Sequence, residues 1–169
     1  PARSIPRPGA KAVTDSDFRA DVGSVDAIIA ASYDVIPGPA GPRNWTRERH
    51  LFHPAARLMR GLPAGSPPGP IPTPGLVVRS VDEFITAAQG RFLEEPFYEY
   101  ELGREVVRFG RWVHATSAYA SSHTPSGPPF ARGVNSYQLW YDQGRWWIMS
   151  ILWDWEDGDV RIPAQLANP

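Results

Sequence analysis

Between Pro96 and Trp155 the sequence keeps a period of two, with β-branched and aromatic residues crowding four runs near Phe97 to Phe109, Arg111 to His123, Phe130 to Tyr141 and Arg145 to Trp155. Neighbouring side chains on an extended backbone point to opposite faces, so the pattern predicts strands and rules out helices. Turn residues separate the runs at Phe109-Gly110, at Thr124-Pro-Ser-Gly-Pro-Pro129 and at Asp142-Gln-Gly144. Strands joined in sequence by such breaks predict an antiparallel meander. Seven Trp, seven Phe and six Tyr make much of its core aromatic.

The last hairpin decides which aromatic rings share a face. A type I turn with Gly144 in the left-handed position spares Gln143 a positive φ and pairs Tyr141 with Arg145. Counting outward, Gly133, Asn135, Tyr137 and Leu139 then share a face with Trp147, Met149, Ile151 and Trp153. Trp140, Trp146 and Leu152 fall on the opposite face. A one-residue slip would instead bring Arg132, Ser136 and Gln138 to the first face.

The N-terminal half reads differently. Val22, Val25, Ile28, Ile29, Tyr33 and Ile36 recur at helical spacing, with Ser24 or Thr14 as cap and Pro37-Gly38 as stop. Asn44 caps a short second helix through Phe52, with Trp45, Arg49 and Phe52 on one face. A strand is expected over Ala56 to Leu62. The stretch Gly61 to Gly75, dense in Pro and Gly, is expected to be a long loop: a surface excursion, a lid, or an SH3-type ligand through Pro67 and Pro70. Ser80-Val-Asp-Glu83 matches a capping box and opens a third helix towards Gly90. These boundaries divide the chain into a tail (1–13), one domain (14–157) and a C-terminal tail (158–169); 169 residues suit a single core.

Composition narrows the function classes. A net charge of −1 with interspersed signs gives no field to attract nucleic acid or anionic lipid. The absence of Cys excludes disulfides, thiolate metal sites and thiol catalysis. No apolar run approaches the roughly 20 residues of a membrane-spanning helix, so no membrane partner is expected. Pro at position 1 fits either a trimmed start or a mature form whose export signal has been removed, which leaves both cytoplasmic and exported locations open.

Three amphipathic helices followed by a four-strand meander resemble the NTF2-like, or SnoaL-like, superfamily, which includes ketosteroid isomerases, scytalone dehydratase and polyketide cyclases. Leu51 to Met59 (LFHPAARLM) looks like its stretch between helix two and the first strand, and Phe130 to Trp153 like its terminal hairpin. The resemblance spans about Val22 to Trp155. It implies an α+β cone in which three N-terminal helices pack on a curved antiparallel sheet around an apolar pocket. In ketosteroid isomerases a helical Tyr and a protonated Asp stabilise an enolate while another carboxylate moves the proton. Tyr33 matches the helical Tyr, Trp153 matches a pocket Trp, and Tyr137 falls near the acid donor. The position of the base falls at or beside Arg60, a permanent cation.

The candidate catalytic residues are therefore Tyr33 and Tyr137, as donors to developing negative charge, each alternatively a packing residue with its hydroxyl bonded internally. The candidate ligand-binding residues are Arg60, which would hold a carboxylate or enolate, Asn135, a polar group in a packed strand, and the pocket walls Trp147 and Trp153. His50 and His53, spaced i, i+3, lack a third ligand nearby, so no metal is expected. His114 and His123 differ by an odd number on one strand and face opposite ways. Glu99 and Glu101 share a face, but the alternating Tyr98, Tyr100 and Leu102 look like the buried one, so both Glu are expected in solvent. Asn44-Trp-Thr46 fits a glycosylation acceptor pattern of low specificity.

Two functions follow. One is an isomerase, dehydratase, hydrolase or cyclase that needs no cofactor and acts on a hydrophobic small molecule polarised by Tyr33 and Tyr137. The other is a non-catalytic module of the same fold that binds an apolar ligand or forms a homodimer through the outer sheet face.

Overall fold

The computed structural model describes residues 15–62 and 75–167; the expected N-terminal tail and most of the Pro-rich loop lie outside them. A 3-10 segment (Asp15–Val22) leads into α1 (Val25–Val35) and α2 (Trp45–Leu51). Strand β1 (Phe52–Gly61) and β2 (Leu76–Arg79) come next, then α3 (Val81–Glu94). The four expected strands are β3 (Tyr98–Phe109), β4 (Trp112–Ser122), β5 (Ala131–Asp142) and β6 (Arg145–Trp155), followed by α4 (Ala164–Ala167).

Local signals explain the helix starts. Ser24 accepts from the Ala27 amide at 3.0 Å and Asn44 from the Arg47 amide at 3.0 Å, each satisfying a donor that the first turn leaves free. The capping box is reciprocal: the Ser80 amide donates to Glu83 at 2.7 Å, and the Glu83 amide donates to Ser80 Oγ at 3.3 Å. Ser80→Ala is expected to cost about 1 kcal/mol, readable as a lower urea midpoint with unchanged slope. Helix α3 runs through Gly90 to Glu94, one turn beyond the expected end. Its buried Ile85 and Phe92 hold it down despite the glycine.

All six strands form one curved sheet in the order β2-β1-β6-β5-β4-β3. The antiparallel meander β3 to β6 agrees with the expectation, but β1 pairs parallel with β6, so the sheet is mixed. The three expected helices are α1, α2 and α3, all ahead of the β3 to β6 meander; β1 and β2 fall between α2 and α3, and the 3-10 segment precedes α1.

The last hairpin corrects the expected register. Gln143 has φ 50 and Gly144 φ 82, a two-residue turn with both central residues left-handed, and it pairs Asp142 with Arg145 and Tyr141 with Trp146. A second irregularity follows, where Gln138 faces Ser150 and Leu139 faces Ile148, leaving Met149 as an extra residue. The turn shifts the face by one residue and the bulge shifts it back. Ile151 and Trp153 therefore share a face with Tyr137 and Asn135 as expected, whereas Trp147 and Trp146 exchange sides. Trp146 is buried in the core. Trp147 stands on the outer face, against His53 at 5.7 Å and under the Arg145 guanidinium.

The main core lies between the inner sheet face and α1–α2, where Ile28, Ile29, Leu51, Leu139 and Ile148 are fully buried. On the outer face, Ile162 and Leu166 pack on Ala118, with Leu102 and Val134 beside them.

Candidate functional site

Between the inner sheet face and α1 to α3 lies a cavity of about 670 Å³. Its apolar wall combines Phe52, Leu58, Phe84, Phe92, Phe97, Phe130, Ile151, Trp153 and Trp155. Arg43 organises one end. It donates to the carbonyls of Ile36, Gly38, Pro39 and Gly41 and lies 5.0 Å over the Phe92 ring, so the Pro-Gly turn after α1 is fixed beside that wall. A backbone bridge between Gly38 and Phe97 ties the turn to the start of β3.

Of the residues expected at a site, Arg60, Asn135, Tyr137 and Trp153 line this cavity. Trp147 does not, for the register reason above. Tyr33 sits behind the lining, and its hydroxyl belongs to a chain of hydrogen bonds. Asn135 Nδ2 donates to Tyr33 Oη at 2.9 Å; Tyr33 meets Ser117 Oγ at 2.8 Å; Ser117 donates to Glu101 Oε1 at 2.6 Å. Because the serine proton is committed to the carboxylate, Tyr33 must be the donor to Ser117. Tyr137 is placed likewise: Ser32 donates to the Ile29 carbonyl at 2.7 Å, so Tyr137 donates to Ser32 at 3.0 Å. Burial raises both phenols above the ordinary tyrosine range, which keeps them protonated.

The groups best placed for acid–base work are two carboxyls, Glu99 and Glu48. Glu99, expected in solvent, lines the cavity, accepting from Ser121 Oγ at 2.9 Å and from Asn135. Burial pushes its carboxyl up to about 7, against the opposing effect of those two hydrogen bonds. Glu101 shares its face and is bound by Ser117 and Arg104. Tyr100, expected inside, is exposed instead. The aromatic residues of β3 predict the opposite parity, but the polar set faces inward.

Glu48 was not singled out at all. It projects from α2 into the cavity, is 2% exposed, and among the described residues leaves Oε2 buried without a hydrogen-bond partner. Burial alone raises its carboxyl to about 8. A signal was available: Trp45, Glu48 and Phe52 fall at i, i+3 and i+7, the stripe that faces a core. Tyr119 Oη, also on the cavity, makes a long 3.4 Å contact to the Asp154 carbonyl. The histidines take no part: His114 bonds Ser136 at 3.0 Å and His123 stacks on Phe130 at 4.4 Å.

No protein-family model matches the sequence, and no curated protein matches it. Solved structures match the fold. A candidate dehydratase of the NTF2-like family from Streptomyces avermitilis superposes with a TM-score of 0.56 at 14% identity, over 85% of this chain and 99% of that one. An NTF2-like protein of unknown function from Silicibacter pomeroyi gives 0.52 at 16% identity, over 85% and 100%. Another from Shewanella baltica gives 0.51 at 12% identity, over 88% and 100%. At these identities the likeness is one of architecture, and the chain has the NTF2-like fold.

Proposed function

We propose that this protein is a cofactor-free proton-transfer enzyme acting on a hydrophobic small molecule. One observation carries the reading: two carboxyl groups, Glu99 and Glu48, open on the same apolar cavity with their proton affinities raised into the neutral range by burial. A base works best when its pKa lies near the working pH, and a carboxyl kept protonated at that pH is an acid. Glu99, oriented by Ser121 and Asn135, takes a proton from carbon. Glu48 gives one to the oxygen where negative charge develops, or to a departing hydroxyl, whose bond to carbon breaks so that it leaves as water. Isomerisation and dehydration need one such pair and nothing more, so they fit better than hydrolysis or cyclisation. Tyr33 and Tyr137 become positioning residues, since their protons are engaged by Ser117 and Ser32; Tyr33 acts through Asn135 on the orientation of Glu99.

The test is deuterium exchange into enolisable cyclic and steroidal ketones in D₂O. Exchange above the buffer rate is expected, with Glu99→Gln slowing it about a hundredfold. Exchange that survives Glu99→Gln counts against the reading. The engaged tyrosine hydroxyls favour the second reading, a non-catalytic ligand carrier, for which ligand binds without any exchange.

The outer face supports a homodimer. Trp112 pairs with Trp140 and Trp140 with Trp147 across three strands, and Trp112, Trp140 and Leu152 are exposed. Such an apolar row is suited to a second copy. Light scattering at low micromolar concentration is expected to give a dimer; a strict monomer removes this use of the face.

A further inference from the structure

Beyond acid–base chemistry, the cavity has a cationic edge that no part of the proposed proton transfer uses. Arg60 on β1 and Arg79 at the end of β2 both line it. In the β1–β2 ladder Arg60 pairs with Val77 and Leu58 with Arg79, so the two guanidiniums stand on one face of adjacent strands. On the other side, Arg60 pairs with Trp153 of the apolar wall. Among the described residues neither arginine makes a hydrogen bond or ion pair. Glu83, on which the charge of Arg79 bears, is held by the Ser80 amide at 2.7 Å. Arg57, whose charge also reaches Glu83, donates to the Ala55 and Ala56 carbonyls and adds no anion. The remaining cavity cation, Arg91, is paired with Glu95 at 3.1 Å.

Residues 1–14, 63–74 and 168–169 contain neither Asp nor Glu, so no carboxylate side chain comes from those segments. Burial and the neighbouring Arg79 together disfavour the charge on Arg60. Two like charges held side by side at a partly desolvated edge are costly unless an anion lies between them. Guanidinium forks are matched to carboxylate oxygens.

We propose that the ligand of this cavity is a hydrophobic carboxylic acid, whose carboxylate is clamped between Arg60 and Arg79 while its apolar body lies against Trp153 and Phe84. This rests on the cavity being a small-molecule site, as proposed above, but not on its being catalytic. The anion fixes one end of the molecule, so that the part reaching Glu99 and Glu48 is always the same carbon region.

The test uses three matched pairs: 2-naphthoate, decanoate and deoxycholate, each against its uncharged primary amide, by calorimetry at pH 7.5 in low salt. At least one carboxylate is expected to bind about tenfold or more tighter than its amide, and the preference to weaken as salt is raised. Arg60→Gln and Arg79→Gln, checked for native far-UV dichroism and cooperative melting, are each expected to abolish the preference while amide binding persists. Arg60→Lys would retain part of it, and Arg57→Gln, outside the cavity, all of it. Equal binding of acid and amide overturns the proposal, as does a preference surviving in both Gln variants or the failure of all three acids to bind below millimolar concentration. The outcomes separate from those of deuterium exchange. Acid selectivity without exchange leaves an anion carrier, and exchange without acid selectivity leaves the Glu99 reading standing alone.

Discussion

Gly133→Ala is expected to destabilise the protein by about 4 kcal/mol, beyond the usual range for an added methyl group. Gly133 sits on β5 between Tyr119 and Trp155, both of which line the cavity. A Cβ there would lie 2.1 Å from the Asp154 carbonyl oxygen and 2.6 Å from Tyr119 Oη. The phenol can swing aside, but the carbonyl is main chain and moves only if β6 draws away from β5. The Gly133–Trp155 and Asn135–Trp153 pairs would open together, taking with them the partner that orients Glu99. With about 2–4 °C per kcal/mol for a chain of this length, the melting midpoint should fall by roughly 8–16 °C. A fall under about 2 °C would mean that the two strands do not approach this closely.

The second large effect runs the other way. Glu48→Gln is expected to stabilise the protein by about 4 kcal/mol at pH 8 and by almost nothing at pH 4. The sign follows from the proton count. Burial raises the Glu48 carboxyl to about 8 in the folded state, against an ordinary value of 4.5 in the unfolded chain. Below pH 4.5 both states hold the proton and no penalty exists. Between 4.5 and 8 the unfolded chain has lost a proton that the folded one keeps, so stability falls as pH rises. Above 8 the loss is complete. Gln keeps the shape and removes the titration. Glu99, raised to about 7, adds a loss of the same sign over a narrower pH window. Urea titrations of both proteins from pH 4 to 8.5 should give curves that meet at the acid end and diverge upward; parallel curves would show that Glu48 ionises freely in the folded protein.

Much of the architecture was legible because it depends on local rules. Alternation located β3 to β6 within a residue or two, and the Ser24, Asn44 and Ser80 caps located three helix starts. Strand β2 escaped because four residues after a Pro-rich stretch carry too little period to be seen, and its loss hid Arg79. The hairpin was misread because Gln143 adopts a positive φ that only tertiary pairing repays. That error was cancelled for Ile151 and Trp153 by a bulge that no local signal marks.

The site was harder to read than the fold for a physical reason. Sequence patterns assume that apolar residues face inward, and a binding cavity breaks that assumption where function resides. On β3 the inward set is Glu99 and Glu101, with Tyr100 outside. Tyr33 and Tyr137 were found, but the direction in which each hydroxyl gives its proton depends on Ser117 and Ser32, residues that no spacing rule connects to them.

The parallel seam between β1 and β6 also bears on how the protein is made. Leu58 and Ile151 are neighbours in that seam yet 93 residues apart along the chain. At about 5–20 residues per second, β1 leaves the ribosome roughly 5–20 s before its partner exists. During that interval α1, α2 and β1 expose Ile28, Ile29, Leu51 and Leu58 with no sheet to cover them. Nascent chains halted before β6 should therefore be the protease-sensitive, chaperone-bound species, and ligand capture should begin only after the last strand closes the seam.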